Sequence, residues 1–498
     1  MSTAERSRSR FFGGGEHSQR GTAERSRSRF FGGGEHSQRG TVSAPAVNSA
    51  RTETGWGALL VLLTGTFVTL LDFFIVNVAI PSIQVDLRAG PSAIQWMVAG
   101  FGLALAAGLI TGGRLGDLYG RRRLYAIGLG LFTLASAACG LAPTADVLIA
   151  GRVVQGVAAA LLMPQVLGII NTVYTGARRV RAFSAYGVAV GLGAVFGQLV
   201  GGLLIRADIA GLGWRSIFLI NVPIGAAAVA ASRRFVPESR AAARARLDLV
   251  GTVLITLGLA AVIYPLLAAE PVGWCVVALP PLAAFVLYQR RLAARGGAPL
   301  VDPALFTARS YRVGVLISLA FQLTMASFFL VLALYLQDGR GLSALASGLL
   351  FVPLGTGYLI TSMRSGRIAV RLGRQTLTVG ALLVAAGYGL LALTAHQPIG
   401  WLLPGLTMAG MGMGFVIAPL PSIVMAGVPA SHAAAASGVL ATAQQAGNAV
   451  GVALIGTVFY RAVGAGDLPR AFALSLTMLM ALSVAVAALV QLLPRRTV

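Results

Sequence analysis

One carboxylate stands inside the long apolar stretch Leu59–Pro81, LLVLLTGTFVTLLDFFIVNVAIP, where Asp72 is the single charge. As a helix this stretch is roughly 34 Å long, enough to cross the hydrocarbon core of a bilayer. A carboxylate at that depth costs about 2.5–3.5 kcal/mol on insertion scales, and burial favours its neutral form. Asp72 is therefore a candidate to gain and lose a proton within a membrane. The plainer alternative is a packing residue paired with a neighbour. A partner is within reach. Arg152 opens RVVQG (Arg152–Gly156), roughly 8 Å from the outer end of its segment, and Asp72 is roughly 12 Å from the same side. Gln155 shares the helix face of Arg152. Asp72, Arg152 and Gln155 thus form a candidate proton-coupling network, against a reading in which Arg152 snorkels to the outer interface.

Three other constellations carry chemistry. In GRLGDLYGRRR (Gly113–Arg123), Asp117 stands among Arg114, Arg121 and Arg122, with Gly113 and Gly120 permitting tight turns. A carboxylate that pairs in one state and not in another makes a latch; a charged structural turn is the alternative. Gly193, Gly197, Gly201 and Gly202 form a stripe at four-residue spacing around Gln198, suited to close helix contact. Gln444 and Asn448 share one helix face and can bind a ligand or bond another helix. With Phe73, Asn77 and Trp96 they are the candidate substrate-cavity residues. Tyr186, Phe329 and Tyr335 join them if they face inward. Met408, Met411 and Met413 fit a surface that accepts varied shapes, or plain gap-filling.

These groups need a membrane scaffold. Of 498 residues 56% are hydrophobic and 11% charged, against about 25% charged in soluble domains. The net charge is +23, and every one of the 39 basic residues is arginine. The arginines cluster between apolar runs, which argues for loops on one side of a membrane rather than for nucleic acid. Cys139 and Cys275 give no disulfide framework or metal spacing, and no ATP-binding or metalloprotease motif is present. An enzyme is not expected, and neither is a cofactor.

Fourteen apolar segments are expected, near Leu59–Ile80, Ala93–Gly112, Leu124–Leu141, Val147–Tyr174, Ala182–Ile205, Ile217–Ala231, Leu249–Ala268, Gly273–Gln289, Val313–Leu336, Ala344–Met363, Leu377–Ala395, Ile399–Val428, Ala433–Tyr460 and Ala471–Leu493. With the N-terminus inside, the inner loops and C-terminus hold 23 arginines and the outer loops six, which places both termini in the cytosol. GRLGDLYGR (Gly113–Arg121) aligns with GRIAVRLGR (Gly366–Arg374), each closing the second helix of a repeated half. The expected division is a disordered basic tail over 1–55, a six-helix bundle over 56–235, two accessory helices over 236–300 and a second bundle over 301–498. In the tail, Thr3–Gly21 is repeated without change as Thr22–Gly40. An Arg/Ser/Gly tract buries too little apolar surface to fold, although its Arg and Phe residues suit RNA or anionic lipid.

The chain resembles the major facilitator superfamily, in particular its fourteen-segment drug:proton antiporters. The resemblance rests on LDFFIVNVAIPSI, GRLGDLYGRRR, RVVQG, GLGAVFGQLVGG, GWRSIFLINVPIG, LDLVG, PLVDPALF and ASGVLATAQQAGNAVGVAL. One departure stands out: the antiporter glycine motif of the family has proline where this chain has Gln198. The resemblance implies two six-helix bundles around a central cavity and alternating access driven by the proton gradient. It implies export of drugs, antibiotics or related amphipathic metabolites across the bacterial inner membrane, here expected of a monomer. It also implies that Asp117 meets the start of the thirteenth segment, near Ser431, when the cytoplasmic side closes. A nutrient importer and a non-transporting receptor are the competing readings. The glycine stripe argues against the first, and the joint presence of Asp72, Arg152 and the latch loop against the second.

Overall fold

A computed structural model of the protein describes residues 56–240, 248–267, 276–425, 428, 433–464 and 467–494. The duplicated tail, Cys275, Ser431 and Arg495–Arg496 lie outside them. The described residues are all-helical: α1 (Trp56–Leu87), α2 (Pro91–Tyr119), α3 (Arg121–Gly140), α4 (Ala145–Val173), α5 (Gly176–Ala207), α6 (Ser216–Leu219), α7 (Asn221–Phe235), α8 (Leu249–Leu267), α9 (Leu279–Ala294), α10 (Arg309–Leu334), α11 (Ala344–Leu372), α12 (Gln375–Leu393), α13 (Leu402–Ile417), α14 (Leu420–Met425), α15 (Ala433–Val463) and α16 (Leu468–Val490). Among them are eleven spans long and apolar enough to cross a membrane, or twelve with α5, whose two arms meet at 41°. The sixth expected segment is α6 and α7 together, and the twelfth is α13 and α14.

The seventh and eighth segments are the shorter helices α8 and α9, of 19 and 16 residues. The eighth begins later than the expected Gly273, because Pro280 and Pro281 stand in its first turn. Proline lacks an N–H and presets a helical φ, so it starts a helix better than it continues one.

The two halves repeat each other in packing. In the first, α1 packs on α5, α2 and α3 on α4, and α3 on α7. In the second, α10 packs on α15, α11 and α12 on α13, and α12 on α16. The halves meet along α2 with α15 and along α5 with α11, while α8 lies against both α2 and α15. The sequence repeat also has a structural counterpart. Gly120 ends α2 with φ 108° and Gly373 ends α11 with φ 56°. Their backbone N–H groups bond the carbonyls of Gly116 at 2.9 Å and Ala369 at 2.8 Å. Only glycine adopts these conformations without strain. At Gly120 a Cβ would also stand 2.7 Å from a carboxylate oxygen of Glu238.

The arginine-poor end of the bundle is where the halves are pinned together. Gln337 Nε2 donates to the Val78 carbonyl at 3.0 Å, and Thr457 Oγ1 lies 3.4 Å from Gln95 Oε1. Beneath these bonds Phe74 packs on Phe329 and Phe329 stacks on Phe351.

Candidate functional site

Asp72, Arg152 and Gln155 come together in the interior of the first half. Asp72 and Arg152 are both 0% exposed and form an ion pair, Arg152 Nη1 donating to Asp72 Oδ2. Arg152 is therefore turned inward and does not snorkel. Gln155 accepts from Arg152 Nη1 at 2.9 Å and donates from Nε2 to Asp72 Oδ1 at 3.1 Å and to Ser136 Oγ at 2.8 Å. Arg152 Nε also bonds the Met97 carbonyl at 3.2 Å, while its Nη2 is buried without a hydrogen-bond partner among the described residues. Helix periodicity explains the placement: residues three apart share a face, so Arg152 and Gln155 reach α1 side by side.

Sequence reasoning missed three members of this cluster. Asn221 opens α7 and donates to Asp72 Oδ1 at 2.8 Å. It belongs to GWRSIFLINVPIG, where a lone amide in an apolar run was a usable signal. Trp214 and Arg215 of the same stretch both bond Asp86 at the end of α1, at 2.9 and 2.5 Å, so this segment is tied to α1 at two depths. Ser136 carried no signal. Neither did Phe101, whose ring sits 4.5 Å from the Arg152 guanidinium carbon.

Phe101 also lines the central cavity, a space of about 210 Å³ between the halves. Phe73, adjacent to Asp72, lines it too and packs on Phe101 with ring centroids 5.7 Å apart. Of the other candidate cavity residues, Gln444 and Asn448 line the cavity, as do Tyr186 and Phe329. Met413 is a lining residue; Met408 and Met411 are not. Asn77, Trp96 and Tyr335 belong elsewhere. Asn77 Nδ2 bonds the Phe74 carbonyl at 3.2 Å. Trp96 packs toward Tyr264 of α8. Tyr335 stacks on Phe472 and donates to the Ala395 carbonyl at 2.5 Å. Among the described residues no charged side chain lines the cavity; Asp72 and Arg152 are fully buried, with the Arg152 guanidinium against the Phe101 ring.

The glycine stripe of α5 lies against α1. A Cβ at Gly193 or Gly197 would stand 2.9 Å from the Cβ of Leu70 or Phe74, and one at Gly201 2.6 Å from Ile75 and Val78. Gly202 faces the other half, where a Cβ would meet the Ala344 carbonyl at 2.5 Å. Gln198 is buried and donates from Nε2 to the Phe74 carbonyl at 2.8 Å. Its backbone abuts Gly348 of α11, so it serves both the contact with α1 and the seam. The bend of α5 falls between Gly193 and Phe196, without the family proline.

The stretch expected as a loop is helical: Gly113 and Asp117 belong to the last turns of α2, Arg121 opens α3, and Gly120 alone joins the two. Asp117 Oδ1 accepts from Arg121 Nη2 at 2.8 Å and Nε at 3.1 Å, and Arg121 Nη1 reaches the Gly168 carbonyl. The backbone N–H of Arg122 donates to Glu238 at 3.0 Å. Arg114 turns the other way, donating to the carbonyls of Ala298 and, by a short contact, Pro299. Gly113, half-buried, lies against Pro164. The segment Arg114 holds is itself fixed by Asp248, which accepts from Gly251 N, Gln289 Nε2 and Leu300 N. The LDLVG and PLVDPALF stretches are thus two sides of one clamp under the accessory helices. Ser431, the expected meeting point for Asp117, is outside the described residues.

The chain matches the pattern described as Major Facilitator Superfamily over residues 62–452. It is 39% identical over 422 residues to a "Probable actinorhodin transporter" of Streptomyces coelicolor, covering 82% of this chain and 73% of the relative. It is 36% identical over 437 residues to "Puromycin resistance protein pur8" of Streptomyces alboniger, covering 84% and 85%. A solved D-xylose-proton symporter superposes with a TM-score of 0.65 at 15% identity, over 89% of this chain and 99% of that one, which speaks to the fold alone. The paired halves, the buried ion pair and the extent of these matches lead to one conclusion: the chain belongs to the major facilitator superfamily, as a multi-pass membrane transporter and not an enzyme.

Proposed function

We propose that this chain is a proton-coupled antiporter that exports amphipathic small molecules, drugs or antibiotics among them, across the bacterial cytoplasmic membrane by alternating access. The observation that carries the reading is the sealed Asp72–Arg152 pair separated from the cavity by one aromatic ring. A carboxylate in that position takes a proton when the pairing loosens and releases it when Arg152 returns. Phe101 touches both the guanidinium and the cavity, so substrate and proton act on one another through a shared ring and need no shared ligand. The names of the relatives, an antibiotic transporter and an antibiotic resistance protein, support the direction of transport.

In this reading the twelve full spans plus α8 and α9 make fourteen crossings with both termini cytosolic, following the arginine bias. The divisions at 56–235, 236–300 and 301–498 stand as two bundles joined by an accessory pair. The protein works as a monomer, and the proton gradient replaces any cofactor. With the arginine-poor end pinned and Asp117 held by Arg121, the arrangement is the cytoplasm-facing state. Asp117, with Arg114, Arg121 and Arg122, changes partners when that face closes; Gly120 makes the turn between α2 and α3, and Gly113 lets α2 lie close to Pro164. The stripe from Gly193 to Gly202 is the surface on which α5 slides between states.

Proton flux in everted vesicles tests this. Adding a transported compound from a panel should move protons in the opposite direction, and an uncoupler should abolish uphill accumulation. Accumulation that is insensitive to the uncoupler would refute proton coupling. Net movement of compound toward the cytoplasm with protons would favour the importer.

A further inference from the structure

Granted that the cavity is the transport site proposed above, we infer that its cargo is a neutral, flat, multi-ring aromatic molecule that offers a hydroxyl group to α15. The walls are aromatic, with Phe73, Phe74, Phe101, Phe329, Phe351 and Tyr358 among them. Ring faces and edges of this kind favour a rigid aromatic guest, which adds stacking to area burial and loses little entropy on binding. One side differs. Gln444, Gln445 and Asn448 present amides from α15, and Gln322 adds another from α10.

Asn448 defines what this edge asks for. It is 4% exposed, and its Nδ2 donates to Gln445 Oε1 at 3.0 Å. Its Oδ1 is buried and has no hydrogen-bond partner among the described residues. A buried acceptor left unmade is costly, and a ligand O–H would satisfy it once a turn of the Asn448 amide brings Oδ1 to the cavity that this side chain lines. The aromatic walls alone would also attract a cation. Among the described residues no carboxylate lines the cavity, however, and Asp72 is already engaged with Arg152, Gln155 and Asn221. A cation would be buried without a counter-charge, which is expensive. The cavity therefore favours a neutral phenol over a cationic dye of the same shape.

Three probes of nearly equal size separate these terms. They are 9-phenanthrol, 9-methoxyphenanthrene, which lacks the O–H, and 5-methylphenanthridinium, a permanent cation. Binding to the purified full-length protein in lipid nanodiscs is followed by probe fluorescence. The phenol should bind about tenfold tighter than its methyl ether, and tighter than the cation. Asn448→Leu should erase the preference for the phenol over the ether, whatever its effect on the two affinities together. Asn448→Ser, which keeps an acceptor, should retain part of it, and serves if the leucine variant does not fold. Equal affinity for phenol and ether in the unaltered protein, or tighter binding of the cation, would overturn the inference. Binding needs no gradient, so these outcomes are separate from proton coupling. Export that is uncoupled from protons would leave them standing, and their failure with intact coupled export would remove the cargo assignment alone.

Discussion

Replacing Asp72 by Asn removes one charge from a pair that has no exposure to solvent. The carboxylate accepts from Arg152, from Gln155 at 3.1 Å and from Asn221 at 2.8 Å. An asparagine amide would keep one acceptor and turn a donor toward a ring of donors. The guanidinium of Arg152 would be left buried with no anion. Breaking one side of a buried pair in this way costs about 3–5 kcal/mol. The double variant Asp72→Leu/Arg152→Leu removes both charges and leaves the amides of Gln155 and Asn221 and the Met97 carbonyl each one partner short, a cost of about 1–3 kcal/mol where a group is left unsatisfied. Both amides retain Ser136 as a partner. The single variant should therefore melt lower than the double one in detergent, and both should fold. Transport should not follow stability. One charge moving through 100 mV supplies about 2.3 kcal/mol, which sustains a gradient of roughly fiftyfold for a neutral solute. Both variants should lose that gradient in proteoliposomes while still equilibrating substrate passively. Asp72→Glu should keep part of the activity with an altered pH profile. Uphill export by Asp72→Asn at the unaltered rate would place the proton carrier elsewhere, and a double variant less stable than the single would refute the buried-charge argument.

Further outcomes follow from single contacts. Phe101→Leu keeps the cavity apolar but removes the ring between Arg152 and the substrate; affinity should fall modestly with the loss of one stacking wall, while protons transported per substrate at saturation should fall several-fold, and an unchanged ratio would deny the ring its linking role. Asp117→Asn loses the charge-assisted bonds to Arg121, worth about 1.5–3 kcal/mol, so transport should slow without loss of binding; unchanged labelling of cysteine probes in the outer cavity would count against a latch. Gly202→Ala forces a methyl onto the Ala344 carbonyl at the pinned end, and those probes should label faster at equal protein level; slower labelling would contradict the seam. Deleting Ser2–Gly40, the duplicated tract, should leave insertion and efflux intact, and loss of efflux at equal expression would reveal a function for the tail.

The sequence by itself determined the class of this protein, because bilayer physics is written locally. Apolar run length and the scarcity of charge require membrane helices whatever the packing. The GRLGDLYGR repeat announced two related halves, and the last glycine of each copy, Gly120 and Gly373, proved to be the positive-φ end of α2 and of α11. Asp72, Arg152 and Gln155 could be grouped by depth along two helices, since rise per residue is fixed. Facing between distant segments was not legible. Periodicity places Asn77 on α1 and Trp96 on α2, but it does not show that the Asn77 amide folds back on the Phe74 carbonyl of its own helix, nor that α2 is rotated to bring Trp96 to Tyr264. The same limit hid Asn221, which reaches Asp72 across 149 positions of chain, and Phe101, whose role exists only because α2 passes between Arg152 and the cavity. Hydrophobic composition drives a chain into the bilayer without specifying contacts. In lipid, where apolar faces gain nothing by leaving the solvent, side-chain fit and a few buried polar bonds decide which faces meet. That decision belongs to the tertiary structure.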